Sequence, residues 1–162
     1  IDQRMWLLRI STGEAAALRE QAPGETVGHE YWFADGERVG YHGTREGVHR
    51  FGWTRWDGSE GAEYDFPFGS THFHSLDETL IVGDGGAGKP YLLLWRLLGD
   101  RYEGPKILLT HRGSFHVQIL HVHPRMDRPA DGGVRIVYTS DHNGYGNVFL
   151  VDVPEFDALP SA

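Results

Sequence analysis

Short apolar or alternating runs, punctuated by Gly, Asp and Asn, follow one another along almost the whole chain. The clearest span residues 5–10, 38–41, 79–82, 91–97, 106–110, 134–139 and 147–153. Runs of about five residues, with turn signals every 8–12 or so, predict the strands of an all-β sandwich, barrel or propeller. Residues 12–21, TGEAAALREQ, have the Ala, Leu and Glu content of a helix and stop just before Pro23-Gly24. The alternative for this stretch is a short strand followed by a loop.

Internal repetition favours the propeller. Three segments share one plan: GHEYWFADGERVGYHG from Gly28, STHFHSLDETLIVGDGG from Ser70, and HVHPRMDRPADGGVRIVYTSDHNG from His121. Each has a His, a short strand-like stretch, an acidic turn, a β-branched strand and a Gly-rich exit. The acidic turns are Asp35-Gly36, Asp77-Glu78 and Asp131-Gly132. The His residues recur at His29, His72 and His121 or His123, in or a little above the spacing of about 40–50 residues for one four-stranded blade. Propellers close with about 4–8 blades, and this chain has room for about three or four. Its first residues fall inside a strand-like run. The expectation is therefore a partial β-propeller, with residues 1–162 the C-terminal part of a single propeller domain whose N-terminal blades are absent from the chain.

Composition narrows the chemistry. At 162 residues and 18.2 kDa the chain has no Cys, which excludes disulfides, iron–sulfur sites, a cysteine nucleophile and thiolate zinc sites. A formal net charge of -8 argues against a broad nucleic-acid surface, because phosphate contacts need a basic stripe. No apolar run approaches the roughly 20 residues of a membrane-spanning helix.

Ten His in an acidic chain invite a metal reading. His121 and His123 form an H-x-H pair, and in an extended strand they face the same side. Gln118 reaches the same point only if a bend or bulge intervenes. By itself the pair also fits two polar residues on a solvated face. If each repeat starts its innermost strand at its His, then His29, His72 and His121 or His123 face one axial cavity. Imidazoles with a neutral amide suit a divalent first-row ion rather than Ca or Mg. Three other patterns carry less. Gly83-x-Gly85-x-x-Gly88 has the spacing of a dinucleotide fingerprint, but Pro90 and YLLLW predict a strand where that fingerprint needs a helix. Ser140-Asp141-His142 reads as a turn, because triads are assembled in space. Tyr31, Trp32, Phe33, Trp53 and Trp56 read first as inter-blade packing and second as a sugar platform.

The segments D-x-R-M-W, GHEYWFADG, THFH…LIVGDG and Q-x-x-H-x-H-P followed by VYTSD…G…NVFLVDV resemble the C-terminal half of oligogalacturonate lyases. These are seven-bladed β-propellers that cleave short pectin fragments. The resemblance covers essentially the whole chain. It implies a manganese site at His72, Gln118, His121 and His123, with His74 the alternative to His72. It implies His29 as the base, Arg4 as the uronate contact, and a cytoplasmic location. The implied reaction is β-elimination on an oligogalacturonide, with loss of the C5 proton and cleavage of the C4–O bond. Two other classes compete. One is a non-catalytic propeller binding module with structural histidines. The other is a hydrolase, for which no pair of converging carboxylates is evident.

Overall fold

The computed structural model describes residues 3–66 and 69–162 and is all-β. The chain forms two compact units, Ile1–Pro67 and Phe68–Ala162. In the first, β1 (Trp6–Arg9) and β2 (Glu14–Ala17) form a hairpin. An antiparallel sheet follows, of β3 (Thr26–Trp32), β4 (Arg38–Arg45), β5 (Val48–Arg55) and β6 (Gly61–Asp65), in that spatial order. Such a four-stranded meander is the shape of a propeller blade. Met5, Val27, Val39 and Tyr41, with Leu18 packed against them, anchor the hairpin to this sheet.

In the second unit, β7 (Phe73–Ser75), β8 (Leu80–Gly83), β9 (Tyr91–Leu98) and β10 (Arg101–Thr110) form another such meander. β11 (Arg125–Asp127), β12 (Arg135–Ser140) and β13 (Asn147–Asp152) form a three-stranded sheet. One core joins the two sheets of this unit: Val82, Leu92 and Leu94 from the first, with Val122, Met126, Ile136, Phe156 and Leu159. β8 and β9 are largely buried, which is why they read as continuous apolar runs rather than alternating ones.

The structure departs from expectation in two places. Residues 14–17 pair with β1 as a strand, so the helical composition of 12–21 is overridden. Thr12-Gly13 close the hairpin, with Gly13 at φ 74° and its N–H bonded to the Arg9 carbonyl. Propensity is a weak prior that a cross-strand partner readily outweighs. The H-x-H pair is not on a strand either. Gln118–Leu120 form a 3-10 turn, and His121 to Pro124 run irregularly into β11.

Candidate functional site

The core sets the H-x-H geometry. Val122 is fully buried, and its carbonyl accepts a hydrogen bond from Thr139 N–H at 2.9 Å. With that side chain committed to the core, the flanking His121 and His123 turn away from it, and His123 takes up a left-handed backbone, φ 43°. His72, immediately before β7, meets them. One ring nitrogen from each of His72, His121 and His123 lies within 4.8 Å of the others. Ring centroids are 4.0 Å apart for His72–His123 and 5.4 Å for His72–His121. The 3-10 turn supplies the bend that Gln118 needs, and its Nε2 lies 3.4 Å from His123 Nε2. A half-turn of the amide exchanges its nitrogen and oxygen.

His72 is fixed by a residue that the sequence reading passed over. Its Nδ1–H donates to Asp84 Oδ2 at 2.5 Å, leaving Nε2 as the lone-pair nitrogen. Asp84 is fully buried, at 0% exposure. Its Oδ1 accepts from the N–H groups of Thr71 and His72 and from Ser70 Oγ. Burial pushes this carboxyl up, but these donors outweigh it and hold it below the usual carboxylate range. The glycine run explains how the acid fits. A side chain at Gly83 would start 2.7 Å from Ser70 Oγ, and Gly85, at φ 63°, would place one 2.2 Å from the Lys89 carbonyl. Gly83 and Gly85 thus serve close packing at the end of β8, Gly88 faces open space, and no helix opens on this spacing.

A further layer surrounds the cluster. His111 is buried, donates from Nε2 to the Asp84 carbonyl at 3.0 Å and accepts Gly113 N–H on Nδ1. Phe115 packs between the His111 and His121 rings. His74 points elsewhere: its Nδ1 accepts Met126 N–H at 3.0 Å, tying β7 to β11, and burial, helped by Arg125, pushes its pKa down to about 4. Burial, with the neighbouring His72, likewise holds His123 below the ordinary imidazole value. Neutral imidazoles are what a metal requires. The donor set fits a divalent first-row ion. His121 Nδ1 is buried without a hydrogen-bond partner, a costly state that a ligand bond would relieve.

Arg4 and His29 belong to the first unit. Between Gly28, which pairs with His42, and Tyr31, which pairs with Gly40, β3 carries two residues against the single Tyr41. His29 occupies this bulge in a left-handed conformation, φ 53°. Its Nδ1 lies 2.8 Å from His42 Nε2. The Arg4 guanidinium lies over Gly28, and its Nε donates to Glu30 at 2.7 Å. Arg4, Trp6, Glu30 and Trp32 also line a cleft of about 220 Å³. Sequence reasoning missed Asp84, His42 and Glu30, since each acts on a side chain far from it or next to it in a loop-like run. Ser140 ends β12 and Asp141 opens a turn closed by the Gly144 N–H, while the Asp141 carboxylate accepts from the Ser114 N–H and hydroxyl. Among the described residues, no helix is long and apolar enough to cross a membrane.

Antiparallel meanders define a partial β-propeller protein, and its three-histidine cluster, with His72 buried and backed by a carboxylate, could hold a divalent metal. No family model matches the chain. It is 27% identical, over 180 aligned positions, to the oligogalacturonate lyase of Dickeya dadantii (strain 3937). It is 24% identical over 179 positions to the oligogalacturonide lyase of Pectobacterium atrosepticum. Each alignment covers 96% of this chain and 44% of the relative. Among solved structures, the oligogalacturonate lyase from Vibrio parahaemolyticus matches with a TM-score of 0.75 at 26% identity, over 96% of this chain and 43% of that one. An oligogalacturonate lyase in complex with manganese matches with a TM-score of 0.75 at 25% identity, over 96% of this chain and 42% of that one. The chain is similar to the C-terminal half of these oligogalacturonate lyases and spans less than half their length.

Proposed function

We propose that the protein carrying this sequence is a lyase that cleaves oligogalacturonides by β-elimination. The observation that supports this most is the His72–His121–His123 cluster locked by Asp84, in a chain similar over 96% of its length to oligogalacturonate lyases. His72, His121, His123 and the Gln118 amide would hold the metal, with manganese the ion of choice. When bound, such an ion supplies Lewis-acid stabilisation of the negative charge that develops on the uronate carboxylate. Arg4 clamps that carboxylate, a task for which a planar guanidinium is suited. His29 takes the C5 proton on Nε2. The electron pair forms the C4–C5 double bond, the C4–O bond breaks, and the departing oxygen takes a proton from solvent. A neutral imidazole is a competent base near pH 7. A cytoplasmic location belongs to the same reading.

The test is absorbance of the unsaturated uronate product on mixing the protein with digalacturonate and Mn²⁺. The expected result is a steady rise that His29→Ala lowers by about 100-fold or more while Mn²⁺ still binds. Binding of the sugar with no unsaturated product would overturn the lyase reading in favour of a binding module.

A further inference from the structure

Outside the His72–His121–His123 cluster, His29 and His42 meet through their ring nitrogens. His29 Nδ1 and His42 Nε2 are 2.8 Å apart, the ring planes differ by 4°, and the centroids are 5.0 Å apart. A ring nitrogen sits about 1.1 Å from its own centroid, so an in-line N–H···N bond in a shared plane separates centroids by about 5 Å. The rings therefore meet edge to edge as one flat hydrogen-bonded unit, and they are not stacked face to face. The backbone arranges this. Gly28 is paired with His42 across the β3–β4 ladder, and the bulge turns His29 back over that partner.

A single proton occupies such a bridge between neutral imidazoles, and its side decides what the outer nitrogen of His29 can do. If His42 donates, His29 carries its proton on Nε2 and has no lone pair there. If His29 donates, Nε2 keeps the lone pair. We propose that His42 is a positioning residue that accepts the His29 Nδ1 proton and so holds His29 in the tautomer able to remove a proton. This rests on the reading of His29 as base and deepens it. His42 stands to His29 as Asp84 stands to His72: an acceptor on Nδ1 that commits Nε2 to chemistry.

The tautomer is read directly from long-range ¹H–¹⁵N correlation spectra of the metal-free chain with labelled histidine. The expected pattern is a protonated Nδ1 and an unprotonated Nε2 at His29. His42→Gln, which keeps an acceptor at the Nε2 position, should preserve it, and His42→Leu should move the proton to Nε2. A His29 protonated on Nε2 in the parent, or a pattern unchanged in His42→Leu, overturns the proposal. In the active protein, His42→Leu should lower kcat by about 100-fold with KM within about twofold, and His42→Gln should restore most of it. Equal losses in the Leu and Gln variants would also overturn it. Activity that survives His29→Ala would instead remove the base reading, an outcome that the spectra distinguish because they report the tautomer without turnover.

Discussion

Asp84 is fully buried yet ionised, a state tolerated only because four donors surround it. Its carboxylate does two things at once. It fixes which nitrogen of His72 faces His121 and His123, and it holds the ring in place. Partners of this kind behind a ligand are typically worth about 10–100-fold in metal affinity. Asp84→Asn should therefore weaken Mn²⁺ binding by about that factor in isothermal titration, with the near-ultraviolet circular dichroism of the folded state retained. Parent-like affinity in a folded Asp84→Asn variant would mean that His72 is oriented by packing alone. His74 offers the contrast. Its Nδ1 is spent on the Met126 N–H, so His74→Gln should leave Mn²⁺ affinity within about twofold and lower stability instead, by the roughly 1 kcal/mol of a typical hydrogen bond.

At the scale of elements, strands that carry their own burial signal were legible and those that borrow it were not. The runs at 79–82, 91–97, 134–139 and 147–153 fall within a residue or two of β8, β9, β12 and β13. β5 (VHRFGWTR) and β6 (GAEYD) mix Gly and charged residues with aromatics, so neither shows a continuous apolar run of its own. β2 read first as helix and only second as a short strand, because only the hairpin with β1 decides between them. The H-x-H pair was visible as a local motif. Its geometry was not, because it depends on Val122 being drawn into a core formed by strands far away in sequence. The bulge in β3 was hidden for a related reason. Glycine is the usual occupant of a left-handed bulge position, and a histidine there gives no sequence signal. Its φ of 53° makes a clear demand on substitutions. Strands ordinarily prefer Val to Gly, but at position 29 the order should invert. His29→Gly should be more stable than His29→Val by about 1–3 kcal/mol in urea denaturation. Equal midpoints, or Val above Gly, would show an ordinary extended backbone there. His29 and His123, the proposed base and a proposed metal ligand, are both in left-handed conformations, as expected where chemistry rather than local preference selects the residue.

For the whole molecule, acid should act on two sets of groups, histidines of the second unit whose pKa burial lowers and a charge knot in the first. Arg19 binds Glu25 and Glu63, each at 2.5 Å, and Arg45 binds Glu25 at 2.9 Å and Glu63 at 3.1 Å. Tyr41 donates to Glu63 at 2.8 Å, and the Ala22 N–H donates to Glu25. These contacts fasten the loop before β3 to β4 and β6. Burial by itself raises the Glu25 pKa, but Arg19, the Ala22 N–H and Arg45 outweigh it and bring it from 4.5 down to about 2. A carboxyl whose folded value lies below its unfolded one stabilises the fold fully above the unfolded value. That contribution shrinks as pH falls from about 4.5 towards 2, where the folded form also takes up its proton. With a side chain only 4% exposed, Glu25 contributes on the order of 2–3 kcal/mol across this window. Urea denaturation from pH 7 to pH 2.5 should show stability falling first below about pH 6.5, as the depressed histidines His74, His111 and His123 begin to charge. It should fall further below about pH 5 as Glu25 begins to take up its proton. Glu25→Gln should be weaker than the parent at pH 7 and lose much less below about pH 5, so that the two curves converge in acid. Parallel curves there would place the second fall in other carboxylates. The lyase assay should be insensitive to this knot above pH 5, because its groups keep the same charge throughout that range.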